Sequence, residues 1–148
     1  MSSARQVETP ESAPELAGRL RLAVGALVRW MRQRDPGNLS PAQLSALASV
    51  DVYGPLRIGD LAARERVAAP TMTRLVAQLA DAGLLTRGPD PTDGRGSLVS
   101  LAPAGAAALD EVRRERTTLL GRRLAALSAE QRAAVAAALP ALEALAQE

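Results

Sequence analysis

A chain of 148 residues with 47% apolar and 23% charged residues is long enough to bury one core and too apolar to stay disordered. All 18 basic residues are arginine, and against 16 carboxylates they leave a net charge of only +2. The sequence pI near 10.3 reflects the scarcity of groups that titrate between the carboxylates and arginine, so overall charge carries little information about partners. Without Cys there is no disulfide framework, thiolate nucleophile or thiolate metal site, and without His there is no imidazole base or metal ligand. Without Lys there is no Schiff base and no phosphate-binding P-loop lysine. These gaps point away from an enzyme, and neither a metal nor a cofactor is expected. No apolar run reaches the roughly 18 residues of a membrane span and no secretory pattern opens the chain, so a cytoplasmic location is expected and no membrane partner. Ala and Leu dominate, Phe is absent and Trp30 and Tyr53 are the sole aromatics, a bias toward helix over β-sandwich.

Residues 1–14 are polar and carry Pro10 and Pro14, so they read as a loose tail. Residues 15–148 then read as a single domain. Leu16, Leu20, Val24, Leu27 and Met31 form one apolar stripe at helical spacing, which predicts a helix from about Pro14 to Gln33 that Asp35-Pro36-Gly37-Asn38 stops. Ser40-Pro41-Ala42-Gln43 is a capping box with proline at the first helical position, opening a helix to about Val52. Leu56-Arg57-Ile58 is at most a strand fragment. Two short helices are predicted next, over residues 59–64 and 70–82, with Gly83 placed to close the second in the left-handed conformation. Leu84–Arg87 and Ser97–Leu101 read as the strands of a hairpin, and Gly88 to Gly96 as its turn-rich loop. A long helix from Pro103 to about Ala126 follows. A second capping box, Ser128-Ala129-Glu130-Gln131, opens a last helix to about Ala146 that Pro140 is expected to kink. The fold class is therefore mainly α with a small β-hairpin.

Residues 58–101 hold the chemistry. On a helical wheel of residues 70–82, Met72, Leu75, Val76 and Leu79 gather on one face while Thr71, Arg74, Gln78 and Asp81 gather on the other. Arg and Gln can read guanine and adenine edges bidentately, and Thr can bond a phosphate or a base. Leu61 and Ala62 on the preceding helix are small enough for two helices to cross closely, as in a helix-turn-helix. A solvated surface helix also carries Thr, Arg and Gln outward; the hairpin that follows, with Arg87 at its base and Arg95 near its tip, is what tilts the reading toward DNA. Arg95 stands between two glycines in a loop without bulky apolar groups, suited to a narrow minor groove, and Asp93 is placed to pair with an arginine and stiffen the loop. The same loop is a poor calcium site, lacking the spaced oxygen ligands and the closing Glu.

From about Leu16 to Ala146 the sequence resembles the MarR family of winged helix-turn-helix transcription regulators. The resemblance rests on Leu61-Ala62, on Pro70-Thr71-Met72-Thr73-Arg74-Leu75-Val76 with Leu79, on Ala82-Gly83-Leu84-Leu85 with Arg87, and on Asp90-Pro91, Asp93, Arg95, Val99, Leu101 and Gly105. It implies a winged-helix lobe over about 40–101 and dimerisation helices over about 15–34 and 103–147. It implies that Thr71, Thr73, Arg74 and Gln78 face the major groove, that Asp93 and Arg95 reach the adjacent minor groove, and that Arg87 belongs to the same interface. Double-stranded DNA with a pseudo-palindromic operator and a second copy of the chain are the implied partners. The resemblance further implies a repressor relieved by a small aromatic or phenolic effector, with Arg29, Trp30 and Tyr53 (and Arg32 as a second choice for a carboxylate) as candidate pocket residues. Three departures stand out: Ala68 and Ala69 replace a frequent Ser cap, Gly94 replaces a frequent basic residue, and Ala102 replaces a frequent Thr cap. Two other readings compete: a winged-helix protein-interaction or dimerisation module without specific DNA binding, and a carboxylate enzyme built on Asp90 and Asp93 in a mobile, wet loop.

Overall fold

The computed structural model describes residues 11–35 and 37–147. Six helices and three strands follow in the order α1 (Ala13–Arg32), α2 (Pro41–Tyr53), β1 (Leu56–Arg57), α3 (Ile58–Glu65), α4 (Ala69–Asp81), β2 (Leu85–Asp90), β3 (Asp93–Leu101), α5 (Pro103–Ala125) and α6 (Ala129–Ala146). The chain divides into two compact units, one up to Arg34 and one from Asp35 onward.

In the first unit, α1 starts inside the expected tail. The Glu15 carboxylate accepts from the Ser12 backbone N–H and from the Ser12 hydroxyl, at 3.1 and 2.6 Å, and the helix starts one residue earlier than Pro14 alone suggests. The rest of the tail, residues 1–10, and Pro36 of the expected stop lie outside the described residues. None of the α1 side chains is buried, and Leu16, Leu22, Val24 and Leu27 are exposed.

The second unit is organised by one core. Leu44, Ala46, Leu47 and Val50 of α2 pack with Leu61 and Ala62 of α3, with Met72, Val76 and Leu79 of α4, with Leu85 and Val99 of the hairpin, and with Leu109 and Val112 of α5. Each fully buried Leu, Val or Met here stabilises the fold by roughly 1.5–3 kcal/mol. That matters most for α3, whose 8 residues could not hold a helix in isolation. The Glu65 carboxylate at its end accepts from the hydroxyls of Ser45 and Ser49, pinning α3 to α2. Ser40 and Gln43 form the expected capping box at the start of α2, and Gly83 takes φ +74° after α4. Arg66, the C-cap of α3, is itself left-handed at φ 54°.

The three strands form one antiparallel sheet in the order β1-β3-β2. Leu56 and Arg57 pair with Val99 and Leu98, and β2 pairs with β3 from Leu85↔Leu101 to Asp90↔Asp93, with a register shift between Pro89 and Asp90. The hairpin strands are thus longer than their composition predicts. Gly88–Asp90 and Asp93–Gly96 are strand, with Gly94, Arg95 and Gly96 in the register shift between Pro89↔Ser97 and Asp90↔Asp93, and only Pro91 and Thr92 remain as the turn. Cross-strand pairing within the hairpin overrides the local turn preference of these residues.

Outside the core, Arg113 of α5 pairs with Asp51 of α2 at 2.7 Å, and Arg116 grips Asp35 with Nε and Nη2 at 2.7 and 2.6 Å. The last helix continues through Pro140 without interruption. The carbonyl that Pro140 leaves unbonded, that of Ala136, sits on an exposed stretch of the helix, where water can take it. No side chain of α6 is buried, and Val135, Leu139 and Leu145 are exposed.

Gly105, one turn into α5, is a packing requirement. A Cβ there would stand 2.1 Å from the Leu84 carbonyl oxygen, which accepts from the Ala102 N–H, and 2.9 Å from a Leu101 methyl. Gly105→Ala should therefore destabilise the protein by about 1–3 kcal/mol, as overpacked sites do, although alanine is the better helix former. Urea denaturation of the variant checks this, and equal or higher stability contradicts the close approach.

Candidate nucleic-acid interface

Helices α3 and α4 and the sheet make a winged helix-turn-helix. Burial on α4 follows the wheel: Met72, Val76 and Leu79 are buried, Leu75 is partly buried, and Thr71, Arg74 and Gln78 are exposed. Thr73 is exposed too but stands roughly 100° around the helix from Arg74; its hydroxyl donates to the Ala69 carbonyl at 2.9 Å. Thr71, Arg74 and Gln78 therefore share a face, and Thr73 lies apart from it.

The helix begins without a side-chain cap. Ala68 occupies the N-cap, and the N–H groups of Thr71 and Met72 both turn to its carbonyl at 3.0 and 3.1 Å. Ala102 likewise caps α5 without a side-chain bond, and it is buried.

In the hairpin, Arg87 is exposed on β2 opposite Val99, and Arg95 is exposed on β3 beyond the turn. Asp93 bonds the Arg95 backbone: its Oδ1 accepts from the Arg95 N–H at 3.1 Å, which shapes the strand and leaves the guanidinium outward. The arginine-carboxylate pair of the hairpin is a different one, made by Asp90 and Arg57. Asp90 is 5% exposed, the one buried charged side chain among the described residues. Two bonds from Thr92 and the Arg57 guanidinium lower its pKa from 3.8 to about 2. The stabilisation this gives is complete above the unfolded value and is lost as the pH falls through about 2. That environment corrects the picture of a wet loop. It also argues against Asp90 as an acid catalyst, which needs its pKa raised rather than lowered.

Residues 40–101 hold six arginines and six carboxylates, so the lobe has no net basic excess. Its polarity comes from which charges are spent. Asp90 is covered by Arg57, Asp51 by Arg113, and Glu65 by two serine hydroxyls. Among the described residues, Arg74, Arg87 and Arg95 form no ion pair.

Of the candidate pocket residues, Arg29 and Trp30 belong to the first unit, Arg29 exposed and Trp30 partly buried, with the Arg34 guanidinium 5.0 Å from the Trp30 ring centre. Tyr53 ends α2 in the second unit, 52% exposed, with the Arg64 guanidinium over its ring at 3.8 Å. The sequence reading gave no role to Arg57, Arg64 or Thr92. The Asp90-Pro91-Thr92 spacing of an Asx turn was the available signal for Thr92.

The fold and this surface define a DNA-binding transcription regulator of the winged helix-turn-helix class. The chain belongs to the MarR family: the family's sequence profile matches residues 39–97. It is 45% identical over 123 residues to an HTH-type transcriptional regulator of Mycobacterium bovis, covering 82% of this chain and 86% of that protein. The HTH-type transcriptional repressor MdtR of Bacillus subtilis is 27% identical over 126 residues, covering 82% and 81% of the two chains. A transcriptional regulator from Pseudomonas aeruginosa superposes with a TM-score of 0.78 at 33% identity, covering 90% of this chain and 94% of that one. Members of this family are DNA-binding regulators rather than enzymes. No described helix is long and apolar enough to cross a membrane.

Restoring the missing acceptor at the start of α4 tests how that helix is held. Ala68→Ser should stabilise the protein by about 1 kcal/mol, the usual worth of an N-cap hydroxyl. A thermal melt that does not rise contradicts the uncapped start.

Proposed function

We propose that this regulator is a homodimeric repressor, that it occupies a pseudo-palindromic operator, and that a small aromatic anion releases it. In this reading Thr71, Arg74 and Gln78 of α4 read the major groove, with Thr73 at its edge, while Arg87, Asp93 and Arg95 work from the hairpin, Arg95 entering the adjacent minor groove. The observation that carries it is the distribution of unpaired cations. Among the described residues, only Arg57 of the six arginines in a lobe with balanced charge is in an ion pair. Arg64 and Arg66 lie at the end of α3, and the other three free guanidinium groups are Arg74 on α4 and Arg87 and Arg95 on the hairpin that follows it. Exposed guanidinium groups on α4 and the hairpin fit both base readout and phosphate attraction.

The dimer is supported by the apolar surface that α1 and α6 leave exposed, four side chains on one and three on the other, which a second copy would cover. DNA symmetry favours the same arrangement, because a two-fold protein matches half-sites about 34–36 Å apart. Repression is supported by the similarity to MdtR, itself named a repressor. For the effector, Tyr53, Arg64 and Arg66 line a cleft of about 830 Å³ together with Ser49, Ala63, Ala146 and Gln147, an aromatic and cationic lining that suits an anion. Arg29 and Trp30 remain candidates on the first unit.

A duplex selected by the protein from a random pool supplies the probe. Arg74→Ala should weaken binding to it by about 1–3 kcal/mol and relax preference at one base pair. Arg95→Ala should weaken binding across sequences and lower the salt slope by roughly one unit. Fluorescence anisotropy over a salt series reads both; unchanged affinity in the two variants overturns the assignment, and no salt-dependent binding by the wild type favours the protein-interaction reading.

Gly94 offers the converse test. A Cβ there meets nothing within 4 Å, so a long side chain fits without rearrangement. Gly94→Arg should tighten binding and steepen the salt slope by roughly one unit. A slope identical to that of the wild type places the hairpin away from DNA.

A further inference from the structure

We propose that Arg57 and Asp90 are positioning residues for DNA binding: their ion pair, buried at the Asp90 end, ties the hairpin tip to the strand that enters the helix-turn-helix, holding Arg95 at a fixed offset from α4. The inference rests on reading Arg95 as a DNA contact.

The sheet is three-stranded only where β1 covers it, at Leu98 and Val99. From Ser97 outward the hairpin is a two-stranded ribbon, and such ribbons are marginal on their own in water. Arg57 reaches along this ribbon from β1. Its Nε and Nη2 lie 2.5 Å from Asp90 Oδ2, and Nη2 also donates to the Thr92 hydroxyl at 3.1 Å. Asp90 Oδ1 accepts from the Thr92 N–H at 2.9 Å and from the Thr92 hydroxyl at 2.7 Å. Both carboxylate oxygens, the turn and the arginine thus form one closed set. Gly96 makes room for it, since a Cβ there would stand 3.0 Å from Asp90 Cβ and 3.1 Å from Oδ2.

The set lies 33 residues apart in sequence and joins two elements with separate tasks. Arg57 is the residue immediately before α3, so whatever fixes its guanidinium also fixes the ribbon against the helix pair. None of the three side chains needs to touch DNA. Their effect is to order the ribbon before binding, so that Arg95 enters the groove without first immobilising its own strand.

The test is a cycle on the pool-selected duplex with Asp90→Ala, Arg95→Ala and the double variant, and Arg57→Gln as an independent way to open the pair. Asp90→Ala should weaken binding about three- to tenfold, the cost of ordering a side chain or two at an interface, and less than about twofold once Arg95 is already alanine. Circular dichroism establishes that each variant folds. Hydroxyl-radical protection of the minor groove should be lost in Asp90→Ala and Arg57→Gln, while methylation protection of guanine N7 in the major groove is kept. Equal losses in both Arg95 backgrounds, or loss of both footprints together, would falsify the positioning role; so would unchanged binding in a folded Asp90→Ala. If Arg95→Ala itself leaves binding intact, the DNA-contact reading fails instead.

Discussion

Everything in the DNA-binding unit depends on burying Leu61 and Ala62 against α4. Helix α3 is two turns long and has no stability of its own, yet it sets where α4 stands. The site is filled from all sides, by Leu47 of α2, by Met72, Val76 and Leu79 of α4, and by Val99 of the sheet. With those contacts in place, the faces of α4 are no longer interchangeable. Its apolar side is consumed and Thr71, Arg74 and Gln78 have only solvent or a ligand to face.

The surface follows from the same economy. Charge in this lobe is balanced overall, so its character is set by pairing geometry and not by excess. Three of the six carboxylates that might have neutralised the exposed arginines are engaged elsewhere: Asp90 inside the hairpin, Asp51 with α5 and Glu65 with two hydroxyls. A composition-level view of this protein, fixed on pI, would miss that point entirely. The arginine-only basic set also keeps these cations charged at every physiological pH.

Much of the fold was legible because its signals are local. Ser40 and Gln43 announce a helix start three residues apart, Gly83 a helix stop, and the Met72, Val76 and Leu79 spacing a buried face. What is hidden is what depends on a pairing that composition does not name. Gly88 to Gly96 has the composition of a loop, and most of it is nevertheless strand, held by cross-strand pairs at Gly88, Pro89, Asp90 and Asp93. Likewise Asp90 looked like a solvated loop acid, since nothing within ten residues names Arg57 as its partner. The start of α1 is legible in the sequence, because Ser12 and Glu15 have capping-box spacing. On α4, three of the four residues proposed for the groove share one side by wheel geometry alone, whereas Thr73 rests only on the family resemblance and stands apart.

The closed set at the hairpin tip has a bearing on how this lobe can change over generations. Residues 56–101 carry the helix pair, the ribbon and the ion pair that joins them, with both ends of that pair inside the same stretch. Side chains on the outer face of α4 can then be exchanged without disturbing the ribbon, and residues near its tip without disturbing the helix. On the proposed reading, recognition would in this sense be modular, with sequence preference and backbone grip on separate surfaces of one unit.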